Sequence, residues 1–285
     1  MTIELVMLSF CRVHLPMLQP LTGTILPTRR QPTVNQAPLH ARRRLFSTVS
    51  ALLLVTTLFT ITSTTNRCRG DNPQKPAELI ERVIEGWTVV VDPQLLDEAN
   101  RVQGEACLKA LANHLQRVTY ILPEDRVIQL QKLRIWIDWE HKLTNMQYHP
   151  SRGWLLANDH DPRLVKHVHI PRAKALLDRG QWAKHPYAVM HELAHSYHDQ
   201  VLSFDEPRII EAYKTIEKNG SYKEVLLYTG RRVKHYGLSN HKEYFAESTE
   251  AYLGVNDFYP FVRAELKEHD PGMYRIMQDV WGKFR

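Results

Sequence analysis

Apolar and polar positions between residues 76 and 285 change period from one segment to the next, and each change marks an element. Trp87-Thr88-Val89-Val90-Val91 is a short run of β-branched and aromatic residues and predicts a strand. From 98 to 118 the apolar positions fall at 102, 107, 108, 111 and 115, the spacing of one helix face. Leu133-Arg134-Ile135-Trp136-Ile137-Asp138-Trp139 alternates, with Ile135, Ile137 and Trp139 on one face and Trp136 opposite, and predicts the clearest strand. Residues 141–163 carry Pro150, Gly153 and Pro162 with no period, which predicts a long loop over a cleft. His167-Val168-His169-Ile170, stopped by Pro171, predicts an edge strand; His167 and His169 share one face, and a second metal site there is the lesser reading. No Gly or Pro interrupts 187–204, which predicts a helix with one side against a core. A further helix is expected over 206–218, ended by Asn219-Gly220, then a mixed segment over 221–239. Phe258-Tyr259-Pro260-Phe261 turns the chain into a last helical pair, 261–269 and 272–283.

A few short strands among many helices predict an α+β domain, mostly helical with a small mixed sheet. The 285 residues, 43% hydrophobic, suffice for one full core, so residues 76–285 are expected to form a single domain behind a leader. Of the three cysteines only Cys107 lies firmly in that domain, amid Ala106, Leu108 and Leu111, which predicts a core residue and no disulfide framework.

The formal net charge of +6 suggests a nucleic-acid partner until the charge is located. Residues 1–68 hold seven of the 37 basic side chains, all Arg, and one of the 31 acids, Glu4, which leaves 30 of each for residues 69–285. A neutral domain has no surplus for a large basic face, so nucleic acid is excluded as the expected partner. The leader reads differently. Ala41-Arg42-Arg43-Arg44 precedes an uncharged stretch, 45–66, centred on Ala51-Leu52-Leu53-Leu54-Val55, the pattern of an export signal over residues 41–66, either cleaved or kept as a signal anchor. Residues 67–75 form a linker, and residues 1–40, rich in Pro, Thr and Gln, are either a disordered extension or precede the true start near Leu39. The domain is then expected outside the cytoplasm, secreted or held at the membrane by the leader alone.

The candidate chemistry lies in His191-Glu192-Leu193-Ala194-His195. Four residues is close to one helical turn, so both imidazoles project from one face, and Glu192, one step round, reaches a water held by the same ion. Neutral imidazole nitrogens suit Zn²⁺, so one zinc ion is the expected cofactor. The motif alone arises by accident in roughly one chain of this size in a hundred. The apolar flanks, Tyr187 to Met190 and Leu193, Ala194 and Tyr197, favour a motif helix over chance. A catalytic zinc needs a third protein ligand and an open position. The metzincin pattern fails, because His198 and Val201 stand where Gly and His are required. In the segment 240–250, Glu243, Glu247 and Glu250 share one stripe of a second helix; one should bind the metal, and a neighbour one turn away should accept a hydrogen bond from a ligand histidine. His198 could compete for the metal but is expected at the surface or as an outer-shell partner, and His235, beside Tyr236, leaves open which of the two points inward.

The two motifs together, with Tyr236 seven residues before Glu243, resemble the zinc peptidase domain of the anthrax toxin lethal factor-like family, over roughly the last hundred residues. The resemblance implies a zincin-like fold, with His191, His195 and Glu243 as zinc ligands and Glu192 as general base. It also implies Tyr236 as the donor to the oxyanion, Glu247 as the outer-shell partner, and the edge strand at 167–170 as a pairing partner for an extended substrate. The expected activity is zinc-dependent endopeptidase hydrolysis of a peptide or protein substrate. The alternative is a non-catalytic, zinc-stabilised binding module outside the cytoplasm, which needs neither Glu192 nor Tyr236.

Overall fold

The computed structural model describes residues 79–284, and the expectations for 1–40, 41–66 and 67–75 lie outside the described residues. The chain opens with β1 (Ile80–Ile84) and β2 (Trp87–Val91), an antiparallel hairpin turning on Glu85 and Gly86 at φ 48° and 90°. Two left-handed residues in a two-residue turn match the twist of the flanking strands. Helices α1 (Arg101–Ile121) and α2 (Glu124–Leu130) cross to β3 (Arg134–Ile137), parallel to β2. Then come β4 (Gln147–Tyr148), α3 (Arg152–Ala157) and β5 (His167–Ile170). The sheet order is β1-β2-β3-β5-β4, with β5 parallel to β3 and antiparallel to β4. The remainder is helical apart from one small hairpin: α4 (Arg179–Lys184), α5 (Ala188–Tyr197), α6 (Pro207–Asn219), β6 (Val225–Leu226), β7 (Arg232–Val233), α7 (His241–Leu253), α8 (Arg263–His269) and α9 (Pro271–Trp281). The α+β class with a small mixed sheet is therefore observed.

Three expectations are corrected. The strand at 167–170 forms where expected but lies inside the sheet, between β3 and β4, and the free edge belongs to β4. Pro171 sits just past the strand, so its missing N–H removes nothing from the ladder and does not mark an edge. The stretch 141–163 is not one loop, since it carries β4 and α3; Ser151 caps α3 by accepting the Trp154 N–H, and β4, two residues long, is too short to show a period. The helix expected over 187–204 ends at Tyr197 and continues as a π-turn, His198–Leu202, closed by Ser203 at φ 82°.

The core explains why this sheet positions the site. Val89, Val91, Ile135, Ile137, Val168 and Ile170 project to one face and pack with Cys107, Leu111 and Leu115 of α1 and Val189, Met190 and Leu193 of α5. Val90 and Trp136 project to the other face, against Leu155 and Leu164. Strands buried on both faces read as an unbroken apolar run, which is what Val89-Val90-Val91 is. Phe245, Ala246 and Tyr252 of α7 and Met277 and Trp281 of α9 extend the same core behind α5. No helix among the described residues is long and apolar enough to cross a membrane.

The two motif helices meet where Gly254, just past α7, lies under the Tyr187 ring at the start of α5. A β carbon on Gly254 would fall 1.9 Å from Tyr187 Cζ, and the Arg117 guanidinium covers the same ring at 5.1 Å. Gly254→Ala must therefore push the helix ends apart and is expected to lower stability by about 1–3 kcal/mol. The midpoint of urea unfolding measures this, and an unchanged midpoint contradicts the packing.

Candidate metal centre

Helix α5 presents His191 and His195 one turn apart, with its apolar side held in the core. Helix α7 brings the carboxylates. Asn240 caps it by accepting the Lys242 and Glu243 N–H groups at 2.9 and 3.1 Å, which fixes Glu243 in the first turn, facing both rings. His195 Nε2 lies 3.1 Å from His191 Nε2, and Glu243 Oε2 lies 3.2 Å from the first ring and 3.3 Å from the second. A tetrahedral site with metal–ligand bonds of about 2.0–2.1 Å sets its donor atoms about 3.3–3.4 Å apart. The triad fits a small divalent cation closely.

Proton positions support the fit. Burial alone would lower the His191 pKa, but hydrogen bonds to Glu243 and Glu250 outweigh it and raise the pKa well above the usual imidazole range. Burial works against the Glu243 charge too, yet the two histidines hold its carboxyl well below the usual range. Without a cation, the arrangement is satisfied by a proton on His191. A divalent ion bound there would take that proton's place.

The outer contacts differ from the expectation in one respect. Glu250 Oε1 lies 2.7 Å from His191 Nδ1, while Glu247 Oε1 is 3.7 Å away. Glu250, two turns beyond Glu243 on the same stripe, is thus the carboxylate that orients the His191 ring, and it also takes His185 Nε2 at 2.8 Å. Glu247 lies beneath them, 2% exposed, its pKa pushed up to about 8 by burial and then by the charge of Glu250. Burial and the Glu250 charge both favour its neutral form. His185 has no sequence signal, being an isolated imidazole before Pro186. Glu250 had one, its place seven residues from Glu243.

Glu192 faces the same space, and its Oε2 accepts the Tyr148 N–H at 2.9 Å. The Tyr148 hydroxyl donates to Asp199 Oδ2 at 2.6 Å, so the edge strand is tied to the α5 segment at two points seven residues apart. Tyr236 opens a 3₁₀ turn before α7 and is 49% exposed, whereas His235 is 3% exposed. His235 packs on Tyr222 and Phe258, accepts the Gly237 N–H, and has its pKa driven down to about 3, by burial first. The inward residue is His235, and Tyr236 faces the cleft. Burial, then the Glu243 charge, raises the Tyr236 pKa, so its hydroxyl keeps its proton. His198 is fully buried against Phe204, His241 and Phe245 and belongs to the core, not the surface.

A cleft of about 680 Å³ joins these groups; Gln147 and Tyr148 of β4 line it together with Tyr228, Arg231 and Phe258, over a floor of His191, Glu192, His195 and Glu243. No protein-family model matches the chain, and neither the curated proteins nor the solved structures compared with it contain a match.

Two outcomes follow for metal affinity, with Zn²⁺ as the probe. Glu250→Ala is expected to weaken binding 10–100-fold by freeing the His191 ring, and Glu247→Ala to weaken it less; calorimetry checks the order, and the reverse order contradicts it. Because the cation displaces a proton whose pKa is raised, apparent affinity should fall about tenfold per pH unit below that pKa. Affinity independent of pH between 5 and 8 contradicts the proton assignment.

Proposed function

We propose that this chain is a zinc-dependent peptidase with a zincin-like catalytic domain related to the lethal factor-like family, acting outside the cytoplasm behind its leader. The observation that carries the reading is the set of donor atoms 3.1 to 3.3 Å apart, with Glu192 and Tyr236 on the same cleft. His191, His195 and Glu243 would hold the ion, leaving a position open to the cleft. When bound, its contribution is Lewis acidity, which polarises a carbonyl and acidifies water.

The remaining steps belong to the chain. An extended peptide fits alongside β4, the free edge on the cleft, by main-chain hydrogen bonds. Glu192 accepts a proton as water adds to the scissile carbonyl carbon and delivers it to the departing amine nitrogen as the C–N bond breaks. Its hydrogen bond from the Tyr148 N–H fixes the carboxylate, and thereby couples the base to the strand that aligns the substrate. Tyr236, protonated, donates to the carbonyl oxygen as charge gathers there, a contribution that counts because the donor is already placed.

Glu192→Gln tests the reading against a peptide library. Hydrolysis should fall by about 10²–10⁴ while bound zinc stays at the wild-type level; activity equal to wild type overturns the mechanism. Tyr236→Phe is expected to lower kcat by about 10²–10³ with little change in KM. A kcat left intact removes the tyrosine from the chemistry.

A further inference from the structure

A second gathering of metal-ligand side chains lies across the sheet from α5. Five of the fifteen histidines fall between residues 141 and 169. Val168 and Ile170 pack on the α5 side, so His169, between them in β5, projects from the opposite face, beside its register partner Trp136. There its Nε2 lies 2.8 Å from Oδ2 of Asp138, the residue that follows β3. The donor atoms of Asp138, His169 and His141, on the crossover after β3, all fall within 4.8 Å of one another.

The outer atoms of this group are held as ligands are held. Asp138 Oδ1 accepts the Trp136 Nε1–H at 2.8 Å, and His169 Nδ1 meets His149 Nε2 at 3.1 Å. Both contacts aim the inner atoms, Oδ2 and Nε2, at one spot, as outer partners aim metal ligands. His149 and His169 are almost wholly buried. Next to His141, at 5.6 Å between ring centres, is His160, whose buried Nδ1 has no hydrogen-bond partner among the described residues.

The geometry points to a second divalent-metal site of the zinc class, ligated by Asp138, His141 and His169 and serving structure rather than hydrolysis. On binding, the Nε2 proton that His169 donates to Asp138 Oδ2 leaves for solvent and the cation takes its place between the two atoms. His141 joins by turning its ring, whose hydrogen bond among the described residues is the one from the Leu143 N–H. The ligands come from both ends of the connection that carries β4. The ion therefore cross-links the segment whose Tyr148 N–H holds Glu192.

Full-length chain, stripped with chelator and dialysed against Zn²⁺, tests this by metal counting. Wild type should hold two ions per chain. The His191→Ala/His195→Ala chain should keep one, and adding His141→Ala should remove it. In that double variant Zn²⁺ should also raise the Tm, and the rise should vanish with His141→Ala. Asp138→Asn, which keeps the side chain's size, is the second variant, and should weaken the retained ion at least tenfold while circular dichroism stays native. A His191→Ala/His195→Ala chain that binds no zinc, or binds equally with and without His141 and Asp138, overturns the proposal. The two sets of variants report on separate sites, so either site can fail alone.

Discussion

The structure depends on burying three carboxylates of one helix against the histidines of another. Glu243, Glu247 and Glu250 lie on a single stripe of α7, and two of them are essentially inaccessible to water. A buried, unpaired carboxylate costs several kcal/mol, so this stripe is tolerable only with partners in place. His191 and His195 serve Glu243, His185 and His191 serve Glu250, and burial and the Glu250 charge favour the neutral form of Glu247. The interface between α5 and α7 is thus organised around charge, and a cation held at its centre would complete the compensation.

That requirement extends outward through the edge strand. Glu192 belongs to the same helix turn as His191 and His195 but faces β4 rather than α7, and the backbone of Tyr148 meets it there. The Tyr148 hydroxyl reaches Asp199 in the π-turn that follows α5. Glu192, the edge strand and the π-turn after α5 are therefore tied to one another. A disturbance to the 139–166 connection would reach the base without touching the donor triad.

The sequence carried the local parts of this arrangement and missed the non-local ones. The pairing of His191 with His195 was legible because helical period alone puts them side by side, and Glu250 was visible as a member of the stripe. Choosing between Glu247 and Glu250 for the His191 ring required the depth at which α7 crosses α5, which no spacing encodes. The strand at 167–170 was read from its composition, yet its place inside the sheet follows from β4, a two-residue element joined by a long connection. His185 and Asp199 had no motif to announce them, since their partners lie 65 and 51 residues away. The inward turn of His235 came from packing on Tyr222 and Phe258, contacts made by residues before and after it in the chain.

Two imidazoles and one carboxylate from α5 and α7 are proposed to grip a single ion. Zinc K-edge X-ray absorption on the His141→Ala chain, loaded with one equivalent, tests it most directly. Four nitrogen or oxygen neighbours at about 2.0–2.1 Å are expected, with the outer scattering of two imidazole rings. A six-oxygen shell without ring scattering would contradict it.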